Sequence, residues 1–158
     1  MAYTAIVLRR WAPIPLRAIV GYGFMAHGVA KLMNGPERFV GILRALHVPA
    51  PEIAAWATIL TELIGGFAVL LGAGISFVSV PLIIVLLVAA ATVHRPYGFS
   101  SIKLQAVTDQ GAQFGPPGYE TDLLYVACLV ALALGGSGAL TLPTLSKRRG
   151  TGCRAHET

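Results

Sequence analysis

Six ionisable side chains stand in or beside apolar runs of this sequence: Arg17, His27 and Lys31 in RAIVGYGFMAHGVAK, Glu62 in ILTELIGG, His94 in ATVHRP and Glu120 in GYETDLL. An imidazole, an ammonium group and carboxylates within reach of one another can hold and exchange protons. Ten helical steps separate Arg17 from His27, a rotation about 80° short of full turns, and fourteen separate it from Lys31, about 40° off. The three therefore share one side of a helix with Gly21, Phe24 and Gly28. A polar strip on an apolar helix faces a protein interior or a water-filled cavity, since each charge is costly against acyl chains.

The elements that must position these residues follow from composition. The 158 residues are 55% hydrophobic and only 12% charged, against roughly 25% charged in a soluble domain. Acid- and base-free stretches run from Leu63 to Val93 and from Leu123 to Ser146. Each exceeds the roughly 20 apolar residues that cross a bilayer core. The fold class expected is an all-α, integral membrane four-helix bundle with spans near 14–33, 52–72, 75–94 and 122–142. Residues 1–146 then form a single domain, and 147–158 a flexible basic tail. Pro13, Pro15, Pro49 and Pro51 mark helix entries, and Arg95-Pro96 ends the third span. Pro81 lies inside that span and would kink it unless the helix starts late.

Spans two and three, separated by Gly72-Ala73-Gly74, make a tight antiparallel hairpin. In the first connection FVGILRALHV suits an interfacial helix. The longest connection, from Arg95 to Thr121, holds QFGPPGYE, and loops of that length in a compact domain usually serve a function or are mobile. Helices in lipid associate through small residues. Span four offers Ala127, Ala131 and Gly135 for this, and span two offers Gly65, Gly66, Ala68 and Gly72.

With spans one and two antiparallel, a rise of 1.5 Å per residue puts His27 roughly 9 Å, Glu62 roughly 15 Å and Arg17 roughly 24 Å from the non-terminal side. Glu62 then falls between His27 and Arg17, either of which is a suitable partner. Lys31, His27, His94 and Glu120 gather at one mouth above it. Simpler roles exist for several of these. Lys31 and His94 can snorkel to the interface, Glu120 can serve the positive end of its helix dipole, and Arg17 with Glu62 can form a purely structural network.

The net charge of +5 does not make a nucleic-acid surface, because the bases cluster at span ends and in the tail without interleaved aromatics. Lys147-Arg148-Arg149 beside span four favours cytoplasmic termini, both on one side of the membrane. Cys128 and Cys153 form neither a CxxC nor a zinc spacing. Arg17 interrupts the apolar segment that a cleaved signal peptide would need. No HxxxH or HxxE pattern marks a metal site, and no haem or nucleotide motif is present.

Taken in order, these motifs resemble the DoxX family of small bacterial inner-membrane proteins, related to the DoxD-type subunits of thiosulfate:quinone oxidoreductase. The resemblance rests on Arg17, Gly21, His27, Gly28 and Lys31; on Glu62, Gly65, Gly66 and Gly72; on His94, Gly98 and Phe99; and on Gly118-Tyr119-Glu120 with Leu123, Leu124 and Tyr125. The sequence departs from many relatives by lacking an aspartate after its last glycine cluster, in Ala139-LTLPTLS. The resemblance implies a four-helix membrane protein serving a redox system as subunit or anchor, with a redox protein as partner and quinone as its candidate ligand. His27, Lys31 and Glu62 beneath Phe24 could supply polar groups in an apolar slot for the ring. The alternatives are a non-enzymatic scaffold or assembly factor, and a small-solute or proton transporter. Four spans without an internal repeat suit alternating access poorly.

Overall fold

Prolines open three helices. Pro13, Pro36 and Pro51 occupy first turns, where the missing N–H is no loss, of α1 (Pro13–Met33), α2 (Pro36–Ala45) and α3 (Pro51–Leu71). After Gly72-Ala73-Gly74 comes α4 (Ile75–Ala89), which continues as a π-helical turn over Ala90–His94 and a 3-10 turn over Arg95–Tyr97. Strands β1 (Leu104–Thr108) and β2 (Gly111–Phe114) form an antiparallel hairpin, and α5 (Glu120–Gly135) closes the order. The computed structural model describes residues 10–141. Span four, expected to run to 142, ends as a helix at Gly135, where Gly136 at φ +82° leaves the helical region; the expected basic tail over 147–158 lies outside the described residues.

The chain is mostly helical, but the hairpin departs from the all-α expectation. Gly111, at φ +112°, takes a backbone conformation open to glycine, so the loop doubles back where the sequence reading saw only irregular chain.

One core cluster draws on all four long helices: Val20 and Phe24 from α1, Val69 from α3, Ile75 and Leu82 from α4, Leu129 and Leu132 from α5. The distribution of polarity is inverted relative to a water-soluble protein. Arg17, Glu62 and Asp122 are buried, while Tyr22, Ile64, Phe77, Ile84 and Leu134 are exposed. Apolar exposure on every long helix suits acyl chains as solvent. Among the described residues, two helices qualify by length and composition to cross a bilayer, Pro51–Leu71 and Ile75–Tyr97. Helix α1 has the length, but its arginine, histidine and lysine dilute its hydropathy; α5 has 16 residues.

Glycines set the closest helix contact. A Cβ added at Gly66 would stand 2.8 Å from the Gly21 carbonyl oxygen, and one at Gly21 would stand 2.7 Å from that of Gly66. Both obstacles are backbone, so neither can swing aside. Gly66→Ala is expected to destabilise the protein by about 1–3 kcal/mol through overpacking, read as a lower thermal midpoint in detergent. Gly65 turns the other way and receives Leu82 of α4. The Ala127–Ala131–Gly135 stripe of α5 does not serve as a packing seam within the chain. All three are exposed, and Gly135 has nothing near its Cβ position. The buried face of α5 is instead Asp122, Leu129 and Leu132, where larger side chains fill a wider gap.

Candidate functional site

The ionisable residues sort into three groups. The first is an ion pair between α1 and α3. Lys31 donates to both carboxylate oxygens of Glu62, at 2.7 and 2.5 Å, with the Glu62 side chain only 6% exposed. Gly28, one turn before Lys31, leaves room for the side chains of Glu62 and Leu63. The ring of Phe39, on α2, lies 5.1 Å from the lysine nitrogen, close enough for a cation–π contact. Glu62 thus has Lys31 as its partner, rather than His27 or Arg17. Arg17 is about eleven residues from the level of Gly28, roughly 16 Å along the axis, beyond the reach of its side chain.

The second group is a pair between the end of α4 and the start of α5, His94 Nδ1 against Asp122 Oδ2 at 2.5 Å. The π turn that ends α4 makes it. Its wider i→i+5 winding rotates each residue less than an α-helix does, which re-aims His94; such turns recur at functional sites. Sequence reasoning treated Asp122 only as a span boundary. The available signal was a second carboxylate two residues past Glu120, in a turn with an apolar run on its far side.

Glu120 stands apart from both pairs. Its carboxylate accepts the Ser101 N–H at 2.9 Å, while Gly98, Phe99 and Ser100 give their carbonyls to the N–H groups of Tyr119, Glu120 and Gly118. The result is a stem that holds the hairpin to the helices. A Cβ on Gly118 would run into the Gly98 carbonyl and stand 2.6 Å from those of Phe99 and Ser100. Gly118→Ala should therefore open the stem, by roughly 1–3 kcal/mol, detectable as faster amide hydrogen exchange from Gly98 to Glu120.

The third group is Arg17, whose guanidinium is spent on backbone. Nε donates to the Val69 carbonyl at 3.2 Å, Nη2 to Leu70 and Leu140 at 2.9 and 3.1 Å, and Nη1 to Ser137 and Ala139 at 2.9 Å each. Helix α3 ends here on Gly72, in the left-handed region at φ +70°, and a Cβ there would stand 2.6 Å from Arg17 Cζ. Glycine is needed twice over at this position, for its backbone angle and for room. Arg17 closes the opposite end from Lys31 and belongs to the frame, not to the polar mouth.

His27 is exposed, and among the described residues it forms no hydrogen bond or ion pair. It lies one turn beyond Gly23, whose missing side chain makes room for the Tyr125 hydroxyl of α5. Tyr125 in turn meets Phe24 edge-to-face with ring centroids 5.7 Å apart. From that Gly23–Tyr125 level, His27 rises four residues along α1 and Asp122 three along the antiparallel α5, about 6 and 4.5 Å. Glu62, at the level of Gly28, is about 7.5 Å up. His27 and the two buried carboxylates therefore occupy nearly one depth above an aromatic floor of Phe24 and Tyr125.

The DoxX family model matches residues 12–95, a span that holds Arg17, His27, Lys31, Glu62 and His94, while Glu120 and Asp122 follow it. No curated protein and no solved structure matches the chain. With over half of its length under that match, and an apolar exterior around buried charges, the chain belongs to the DoxX family of membrane proteins.

Proposed function

We propose that residues 1–146 form one four-span bundle of the bacterial inner membrane, with both termini cytoplasmic. Its polar mouth receives a quinone ring on behalf of a partner oxidoreductase, so the chain serves as membrane subunit or anchor of a redox system. The observation that carries this reading is the pair of buried carboxylates, Glu62 and Asp122, each held by a basic group at nearly the same depth. Reduction of a quinone to its quinol takes two electrons, here from the partner protein, and two protons. Lysine–glutamate and histidine–aspartate pairs are two groups able to hold and release a proton. Tyr125, half-buried and backed by the buried Phe24, offers the apolar surface that a ring needs, and His27 is free to donate to a carbonyl oxygen.

The test is binding of decylubiquinone to the purified full chain in nanodiscs, followed by fluorescence quenching of its own tryptophans or by calorimetry. Wild type should bind, and Glu62→Gln and Asp122→Asn should each weaken binding by about tenfold or more, which is 1.4 kcal/mol. Absence of wild-type binding would remove the quinone reading. The scaffold alternative has its own support in Arg17, which engages five carbonyls, two at the end of α3 and three in the segment after α5.

A further inference from the structure

The hairpin carries an apolar face created by an irregularity. Its register pairs Leu104 with Phe114, Ala106 with Gln113, Val107 with Ala112 and Thr108 with Gly111, with a bulge between Leu104 and Ala106. Side chains alternate along a strand, and directly opposed residues share a face. Phe114 and Ala112 therefore share one face, together with their partners Leu104 and Val107. The other face holds Ala106, Gln113, Thr108 and Gly111. In an unbulged strand Leu104 and Val107, three residues apart, would point to opposite faces. The extra residue brings them together. Leu104 and Phe114 are each 59% exposed and Val107 74%, and the main partner of each strand is the other strand.

Three features indicate what covers this face. The hairpin rises from a foot bearing Tyr97, Phe99 and Tyr119, the last two in edge-to-face contact at 5.6 Å. Aromatic rings of this kind gather at the level of lipid headgroups. Arg95 and Lys103 flank the foot, whereas the one acid between Arg95 and Tyr119 is Asp109, in the turn at the far end. That polarity suits phosphates at the foot. Finally, three exposed apolar side chains on strands of five and four residues make a patch well short of the roughly 800 Å² per partner of a stable protein interface. A second copy or a folded partner is poorly matched to so small a patch, whereas a lipid surface sets no such minimum.

We propose that the Leu104–Phe114 hairpin lies on the bilayer, its Leu104, Val107 and Phe114 face set into the headgroup–acyl boundary and Lys103 on lipid phosphate. The proposal rests on the reading of the helices as bilayer spans. Docked in this way, the hairpin carries its stem along the membrane surface beside the mouth that holds His94 and Asp122.

The full chain, with Cys128→Ala and Cys153→Ser, would be reconstituted into vesicles of phosphatidylcholine with phosphatidylglycerol. An environment-sensitive fluorophore would be attached in turn at Val107→Cys, Phe114→Cys, Gln113→Cys and Phe77→Cys. Shallow spin-labelled lipids are expected to quench the probe at 107 and 114 about threefold more than at 113, as insertion of 5–10 Å implies. Phe77, on the outer face of α4 and 84% exposed, reports on the spans themselves. Quenching at 77 with equal, weak quenching at 107, 114 and 113 overturns the hairpin proposal and leaves the spans standing. No quenching at 77 overturns the spans. Protection at 107 and 114 from aqueous iodide without lipid quenching overturns it too, in favour of a protein occupant.

Discussion

Arg17→Met is expected to destabilise the protein by about 3–5 kcal/mol, enough to lower expression and the thermal midpoint together in detergent. The substitution keeps the apolar stem and removes five donors at once. Each carbonyl left without a partner away from water costs roughly 1–3 kcal/mol. The total stays below their sum because carbonyls at helix ends, near the water, recover part of their solvation. Arg17→Lys keeps the charge, but its compact ammonium cannot spread donors across two chain segments as the planar guanidinium does. It should restore less than half of the loss. A thermal midpoint for Arg17→Met within a degree or two of wild type would mean that these carbonyls find water without help.

Lys31→Met is expected to cost about 3–5 kcal/mol, because it strands the Glu62 carboxylate in a buried site. The double variant Lys31→Met with Glu62→Met should return to within about 1 kcal/mol of wild type, since replacing both members of a buried pair with apolar groups of similar volume is often neutral. Chemical unfolding of the four proteins of this cycle in mixed micelles measures both quantities. The cycle also separates the two functional readings. If the double variant regains stability but no longer binds decylubiquinone, the pair serves chemistry. If it regains both, the pair only sets helix register. Equal losses in the single and double variants would show that Lys31 and Glu62 do not act as a pair at all.

Much of the fold was legible because lipid imposes a simple rule on sequence. Prolines at entries and runs free of charge located the starts of the long helices to within a few residues, although span four ends seven residues earlier than expected, at Gly135; Glu62, alone in the middle of an apolar run, had to be buried. Helical periodicity placed Arg17, Gly21, Phe24 and Gly28 on the buried side of α1. It also put His27, 80° around, on that inward side, but His27 is exposed, because the buried strip of α1 is narrower than that. Depth counting put Glu62 between His27 and Arg17, but it assigned each side chain the depth of its own Cα. Lysine is long and can reach back down from the helix end, and that is how Lys31 takes Glu62 in place of either expected partner.

Other features depend on contacts that no local pattern encodes. The pairing of His94 with Asp122 requires a π turn at the end of α4. The amphipathic face of the hairpin requires a bulge, which converts an unremarkable alternation into a one-sided one. Pro81 lies inside α4 without ending it, since packing against α3 and α5 holds the helix through the missing hydrogen bond. The small-residue stripe of α5 shows the same dependence, because Ala and Gly allow a close approach without specifying which neighbour makes it.

The sequence by itself determined where apolar helices form and which charges must avoid acyl chains, because hydrocarbon penalises every unpaired polar group regardless of its neighbours. Only the tertiary structure decided which charge meets which. Pairing depends on side-chain reach, helix phase and the backbone irregularities that alter both. From these came a frame arginine bound to carbonyls, two separate acid–base pairs at nearly one depth, and an exposed histidine on α1.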